Sequence, residues 1–191
     1  KNYPLFAAPQ EIAPAIVAEI VEISIIDEKG GVLLDTLVKP LKPIPAEATA
    51  IHGITNEMVA TAPTWAAIHE QVAKIVASKP LVIYNADYDL RLMAQTAVQY
   101  GLTPIGTEAG CAMLTYAEHY GEWNEYKGTY RWQKLTNAAA QQGVVIDGKA
   151  HRALADVKMT LGVIKAMAGL SSKEGANKSY GTRAFTGNPL I

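Results

Sequence analysis

Two short segments of this 191-residue chain hold side chains able to do acid-base or metal chemistry. The first is His151-Arg152-Ala153-Leu154-Ala155-Asp156, which follows Gly148 and opens the last apolar-periodic helix. A loop histidine five residues before a carboxylate in a helix's first turn sets a potential base beside a potential metal ligand. The second is Asn85-Ala86-Asp87-Tyr88-Asp89, directly after the apolar run PLVIY. Carboxylates that join a strand to a helix lie at the carboxyl edge of a sheet, where open α/β folds place their ligands. Each segment alone also fits helix capping, with Asp156 or Asp87 as the cap and His151 as a surface residue. Cys111 paired with His151 would be a thiol hydrolase couple, but nothing local activates that thiol. No Walker, dinucleotide-fold, Ser-His-Asp or zinc-ligand spacing is present.

The elements that must position these residues follow from periodicity. AEIVEISIID and VLLDTLVKP, separated by Lys29-Gly30-Gly31, predict a β-hairpin over residues 18–39. Pro40, Pro43 and Pro45 exclude strand interior or mid-helix, and lead into IHGITNEMV at 51–59, which reads as loop. Trp65, Ile68, Val72, Ile75 and Val76 recur at helical spacing and predict a surface helix from Thr64 to Ser78. PLVIY at 80–84 reads as a strand buried on both faces, followed by a helix to about Tyr100. A further strand falls within 106–113, with helices near 112–120, 131–142 and 153–168 stopped by Gly143 and Gly169. This order predicts an α/β fold with a mixed sheet and helices packed on it. Residues 1–170 form one domain and 171–191 a tail that is ordered only if it docks.

Composition narrows the classes. Seventeen basic and eighteen acidic residues leave a net charge of −1, so any nucleic-acid contact must be local. With 49% hydrophobic and 18% charged residues the chain reads as soluble and globular, and no apolar run approaches the roughly 18 residues of a transmembrane helix. No membrane partner is expected. A single cysteine excludes an intramolecular disulfide and a Cys-rich zinc site. The segment Lys1 to Ile16, with Pro4, Pro9, Glu11 and Pro14, makes a poor signal peptide, and the expected location is the cytoplasm.

Taken with VKPLKPIPAEATAIHGITNEMV, the two segments resemble the DEDDh family of 3'-5' exonucleases, the superfamily of the bacterial DNA polymerase III epsilon proofreading subunit. The resemblance runs from residue 18 to about 168 and is specific at IHGIT (51–55), YNADYD (84–89) and HRALAD (151–156). EIVEISIID, TLVKP and the tryptophan-bearing GEWNEYKGTYRW also look like members of this group. It implies a ribonuclease-H-like fold, a five-stranded mixed sheet flanked by helices, with two divalent ions, Mg²⁺ or Mn²⁺, held between acidic residues. Hard cations prefer oxygen ligands, and a pair of them holds the attacking and leaving oxygens of a phosphodiester. By position, Asp89 and Asp156 are similar to the family's second- and third-motif aspartates, and His151 to its proton-accepting histidine. His52, Gly53, Ile54 and Met58 resemble the loop against the 3'-terminal nucleotide, with Asn85 beside it; packing into the core is the other reading of Ile54. The implied partners are nucleic acid 3' ends, single-stranded DNA above all, with room for a polymerase or repair protein. Trp123, Tyr126, Tyr130 and Trp132, interleaved with Lys127 and Arg131, could stack bases, although core or lid packing is the simpler expectation. Lys39, Lys42, Arg91 and Arg152 are candidate phosphate neighbours.

One motif departs from the pattern. The family opens with a strand ending in Asp-x-Glu just before the EIVEI strand, and here an ungapped register puts Ala7 and Pro9 at those positions. Three explanations fit. A stretch of about ten residues carrying the acidic pair is absent after a strand that begins at APAIV. Alternatively the domain is degenerate, a module that binds nucleic acid or a protein without catalysis. Lastly, Glu11, Glu19 or Glu22 substitutes from another register; Glu19 and Glu22, three apart in a strand, face opposite sides and cannot both reach one site.

Overall fold

The computed structural model describes residues 18–77, 79–145 and 151–169. The hairpin forms as expected from β1 (Glu22–Ile26) and β2 (Val32–Leu37), antiparallel, with Ser24 opposite Asp35. Its turn is tied by Asp27, whose Oδ1 accepts from the Lys29 and Gly31 N–H groups at 2.9 and 2.7 Å. Those bonds hold the Asp27 carboxyl below the ordinary carboxylate range. Gly30 supplies the positive φ of 92° that the turn needs.

After the prolines the structure differs from the expected loop. α1 (Ala46–His52) and α2 (Asn56–Val59) are short helices separated by Gly53 in the left-handed region. Two turns and one turn are too short to show a 3.6-residue period, which is why the sequence reads as loop there. Asn56 fastens the segment by accepting from the Ile44 N–H at 2.8 Å, and Ile44, Ile54 and Val59 form a small core against Val21 and Leu37.

α3 (Trp65–Val76) buries Trp65, Ile68, Val72 and Val76, the expected stripe with Ile75 at its margin. These residues meet Ile20, Leu34 and Val38 of the hairpin, and Met93 and Ala97 of α4 (Ala86–Gln99). α4 is the crossover between β3 (Leu81–Ile83) and β4 (Ala109–Cys111), which pair in parallel as such a connection requires. β3 corrects one expectation: Val82 is 49% exposed, so among the described residues only one face of this strand is covered. An apolar run reports that a strand is hydrophobic, not that both its faces are packed.

α5 (Ala112–Tyr120) leads to a second hairpin, β5 (Trp123–Asn124) and β6 (Thr129–Tyr130), which delays α6 to Leu135–Gln141 rather than the expected 131. α7 (Ala153–Met167) follows. Tyr116, Ala138, Ala139, Met159 and Val163 join α5, α6 and α7 in a second core. The approach is close: a Cβ at Gly162 would meet Val144 Cγ1 at 2.6 Å, so any larger residue would force Val144 to shift.

The chain is thus α/β, with antiparallel and parallel pairing both present. Among the described residues the strands form three two-stranded sheets rather than the expected continuous five-stranded one. The first strand, sought in YPLFAA or APAIV, and the tail at 171–191 lie outside the described residues.

Candidate active site

Two strand-to-helix or loop-to-helix junctions carry the candidate chemistry. At the first, Asn85 takes a left-handed conformation (φ 74°) between β3 and α4, and α4 starts without a side-chain cap. Asp87 does not cap the helix. It turns outward toward Arg91, 3.5 Å away on the next turn. Asp89 keeps access to solvent, yet the surrounding protein crowds its carboxyl. That lost hydration, and then the charge of Asp156, push its pKa up to about 6.

At the second junction His151 is also left-handed, with φ 66°. Its backbone N–H donates to Asp156 Oδ1 at 3.2 Å, and its ring stays exposed. Asp156 is raised by burial; the His151 N–H and the nearby imidazole pull it back down, and the charge of Glu22 pushes it up again. Arg152, the residue preceding α7, makes no cap bond with its side chain. Glu22 of β1 supplies the cap instead: its Oε2 accepts from the Ala153 N–H at 2.8 Å. Both Glu22 oxygens accept from Arg152 Nε at 3.1 Å, and Oε1 also accepts from an Arg152 terminal nitrogen at 2.7 Å. The Glu22 side chain is only 10% exposed, so this charge-assisted fork is largely shielded from water. One strand therefore fixes the loop that carries His151, 129 residues away in sequence.

Of the three expected residues, Asp89 lies within range of the Asp156 charge, and His151 touches Asp156 through its backbone N–H. Asp89 and Asp156 are hard oxygen donors in mutual repulsion, a chemistry that a divalent cation would relieve. They fit part of a metal site: among the described residues no three His, Cys, Asp or Glu side chains cluster closely enough to hold an ion. Against the alternative of rescue by Glu19 or Glu22 stands the engagement of both carboxylates by donors of the chain. Glu19 accepts from the Leu41 and Lys42 N–H groups, and Glu22 is committed to Arg152 and Ala153. Glu11 lies outside the described residues. Arg152, expected beside a phosphate, is likewise engaged by Glu22.

In the 52–58 segment, His52 Nδ1 accepts from the Ile54 N–H at 3.0 Å and Gly53 takes φ 76°. Ile54 is 1% exposed, so its side chain is core and cannot wedge against a base, whereas Met58 is 40% exposed. The aromatic group corrects the expected core or lid packing: Trp123, Tyr126, Tyr130 and Trp132 are all exposed. Two residues escaped sequence reasoning in their present roles. Glu22 meets its partner only in three dimensions. Tyr84 looked like the end of a strand, yet its hydroxyl donates to the Gln133 carbonyl at 2.8 Å, and its pKa is pushed up to about 12, mainly by burial.

A family model described as Exonuclease matches residues 10–164. The chain is 59% identical over 157 residues to an uncharacterized exonuclease, CP81, of Escherichia phage 186, covering 79% of this chain and 80% of that one. It is 43% identical over 72 residues to a DNA polymerase III subunit epsilon-like protein of Rhodobacter capsulatus, 38% of this chain and 10% of that protein. Among solved structures, the nuclease domain of 3'hExo, a DEDDh family member bound to rAMP, superposes with a TM-score of 0.65 at 18% identity, covering 87% of this chain and 89% of that one. Exonuclease X in complex with 5' overhanging duplex DNA gives 0.59 at 23% identity, covering 83% and 87%. Those likenesses establish the ribonuclease-H-like fold. Matched by the Exonuclease family model over most of its length, and 59% identical to the phage exonuclease over 157 residues, the chain belongs to the exonuclease family.

Proposed function

We propose that this exonuclease works from the 3' end of single-stranded nucleic acid and releases nucleoside monophosphates with the help of two divalent ions, Mg²⁺ or Mn²⁺. The observation that carries the reading is the approach of Asp89 and Asp156, from two separate helices, to within range of each other's charge. Two crowded carboxylates are unfavourable in isolation, and a cation would make use of them. Asp89 and Asp156 would hold the metal, which when bound polarises the phosphodiester and the attacking water. His151 would take the proton from that water, its exposed ring meeting the solvent from which the nucleophile comes. Met58 would lie against the terminal base, with His52, Gly53 and Asn85 lining the approach and Ile54 supporting the loop from the core. The epsilon-like relative, a DNA polymerase III subunit-like protein by name, supports a polymerase as partner; single-stranded DNA would be the substrate and a repair protein another partner. A single cysteine, and the lack of any described helix long and apolar enough to cross a membrane, support action in the cytoplasm. Residues 1–170 would form the catalytic domain and 171–191 a tail.

A second reading rests on the incomplete ligand set among the described residues: a module on the exonuclease fold that binds nucleic acid or a protein without cutting. Digestion of a 5'-labelled single-stranded oligonucleotide in Mn²⁺, Mg²⁺ or EDTA, with Asp89→Ala beside the unaltered protein, separates the two. Stepwise shortening from the 3' end that needs both metal and Asp89 supports the exonuclease. Binding without shortening supports the module.

A further inference from the structure

We propose that the β5–β6 hairpin is a second contact surface for the same substrate, a platform on which bases of a single strand stack while its 3' end lies at Asp89 and Asp156. This rests on the function proposed above. Trp123, Tyr126, Tyr130 and Trp132 are 51, 96, 40 and 58% exposed, a concentration of large rings that a short surface hairpin has no folding reason to display. The hairpin is held in shape. Trp123 and Tyr130 face each other across the register with ring centroids 5.0 Å apart and planes at 79°. The Gly128 N–H donates to the Asn124 carbonyl at 2.8 Å, and the Arg131 N–H to the Glu122 carbonyl at the same distance. Rings placed this way lose little freedom when a base stacks on them.

Chemistry favours a nucleic acid over a protein partner. From Glu122 to Lys134 there is no Leu, Ile, Val or Met; Arg131 pairs with Glu122 at 3.2 Å, and the remaining charges are Lys127 and Lys134 against Glu125. Aromatic faces interleaved with cations suit bases and phosphates; a protein-docking face would add aliphatic side chains to fill pockets. The position also fits. Gln133, next to Trp132, accepts the Tyr84 hydroxyl, and Tyr84 immediately precedes the Asn85–Asp89 junction. The platform is therefore tied by one hydrogen bond to Tyr84, which follows β3 and leads into α4, the helix that bears the candidate metal ligand Asp89.

The test is binding of a labelled thymidine oligonucleotide in EDTA, where no cutting intervenes, followed by anisotropy and tryptophan emission. Trp65 is fully buried, so quenching would report Trp123 and Trp132, the other two tryptophans. The double variant Trp123→Ala/Trp132→Ala should bind about 100-fold more weakly, roughly tenfold per ring. Trp123→Phe/Trp132→Phe, which keeps a stacking face, should recover most of that loss. Equal affinity in the alanine variant and the unaltered protein would overturn the proposal. So would a dimer that the alanine variant converts to monomer with oligonucleotide affinity unchanged, since the face would then belong to a second copy. Failure of the exonuclease reading shows separately: an oligonucleotide bound through the tryptophans but never shortened in Mn²⁺ sinks catalysis and leaves the platform standing.

Discussion

The two junctions that meet at the site are both bent by a non-glycine residue in the left-handed region, Asn85 at φ 74° and His151 at φ 66°, yet they are secured in different ways. The α7 junction is clamped from outside. Glu22 reaches across from β1 to cap the helix at Ala153 and fork with Arg152, while Asp156 receives the His151 N–H. The α4 junction has no side-chain cap, and its first acidic residue is spent on Arg91. It depends on the parallel pairing of β3 with β4 and on the Tyr84 tether to Gln133. The difference teaches where tension sits. On the clamped side both Glu22 oxygens have donors, and the His151 N–H offsets part of the burial that raises Asp156. On the other, Asp89 meets crowding and a like charge with no such donor among the described residues, and its pKa rises to about 6.

The sharpest way to break this contrast is at His151. If His151 is the proton acceptor proposed above, replacement by alanine should lower turnover about 10²- to 10⁴-fold, with the circular dichroism spectrum unchanged because the exposed residue contributes little packing. Activity equal to the unaltered protein would remove His151 from the mechanism. Next in size is the clamp: Glu22→Ala leaves Arg152 and the Ala153 N–H without their acceptor and should cost about 2 kcal/mol in urea unfolding. Glu22→Gln, which still accepts from Ala153, should recover part of it.

Tension at Asp89 predicts a pH dependence in metal-free protein. A carboxyl whose folded pKa lies above the unfolded value of about 4 favours folding at low pH, and that advantage is lost as pH rises through about 6. Asp89→Asn should therefore raise the melting temperature at pH 7 to 8 and leave it nearly unchanged at pH 4. A gain of equal size at both pH values would assign the effect to something other than charge. The smallest effect belongs to the exposed pair: Asp87→Ala should change stability by no more than about 0.5 kcal/mol, since a solvated i,i+4 contact with Arg91 is screened by water. A larger loss would mean that Asp87 does serve the α4 junction.

Much of this was legible along the chain. Alternating β-branched runs around Lys29-Gly30-Gly31 specify the hairpin, and the Trp65-Ile68-Val72-Val76 stripe specifies α3, because local periodicity and the local burial it serves share one length scale. The motifs also put Asp89 near the start of α4 and His151 and Asp156 around the start of α7, where the structure has them. α1 and α2 were not legible, being shorter than the period that would reveal them. Nor was the exposure of Val82, Trp123 or Trp132, since a hydrophobic residue carries no record of whether anything covers it.

By itself, then, the amino-acid sequence determined the order of the elements, the carboxylates and histidine at two junctions, and the family they belong to. Only the tertiary structure decided that Glu22 clamps the start of α7, that Ile54 is core while Met58 is open, and that the aromatic hairpin faces solvent. The physical reason is common to all three. A carboxylate's role is set by which donor reaches it, and an apolar side chain's role by what covers it, and both are properties of residues far apart in the chain.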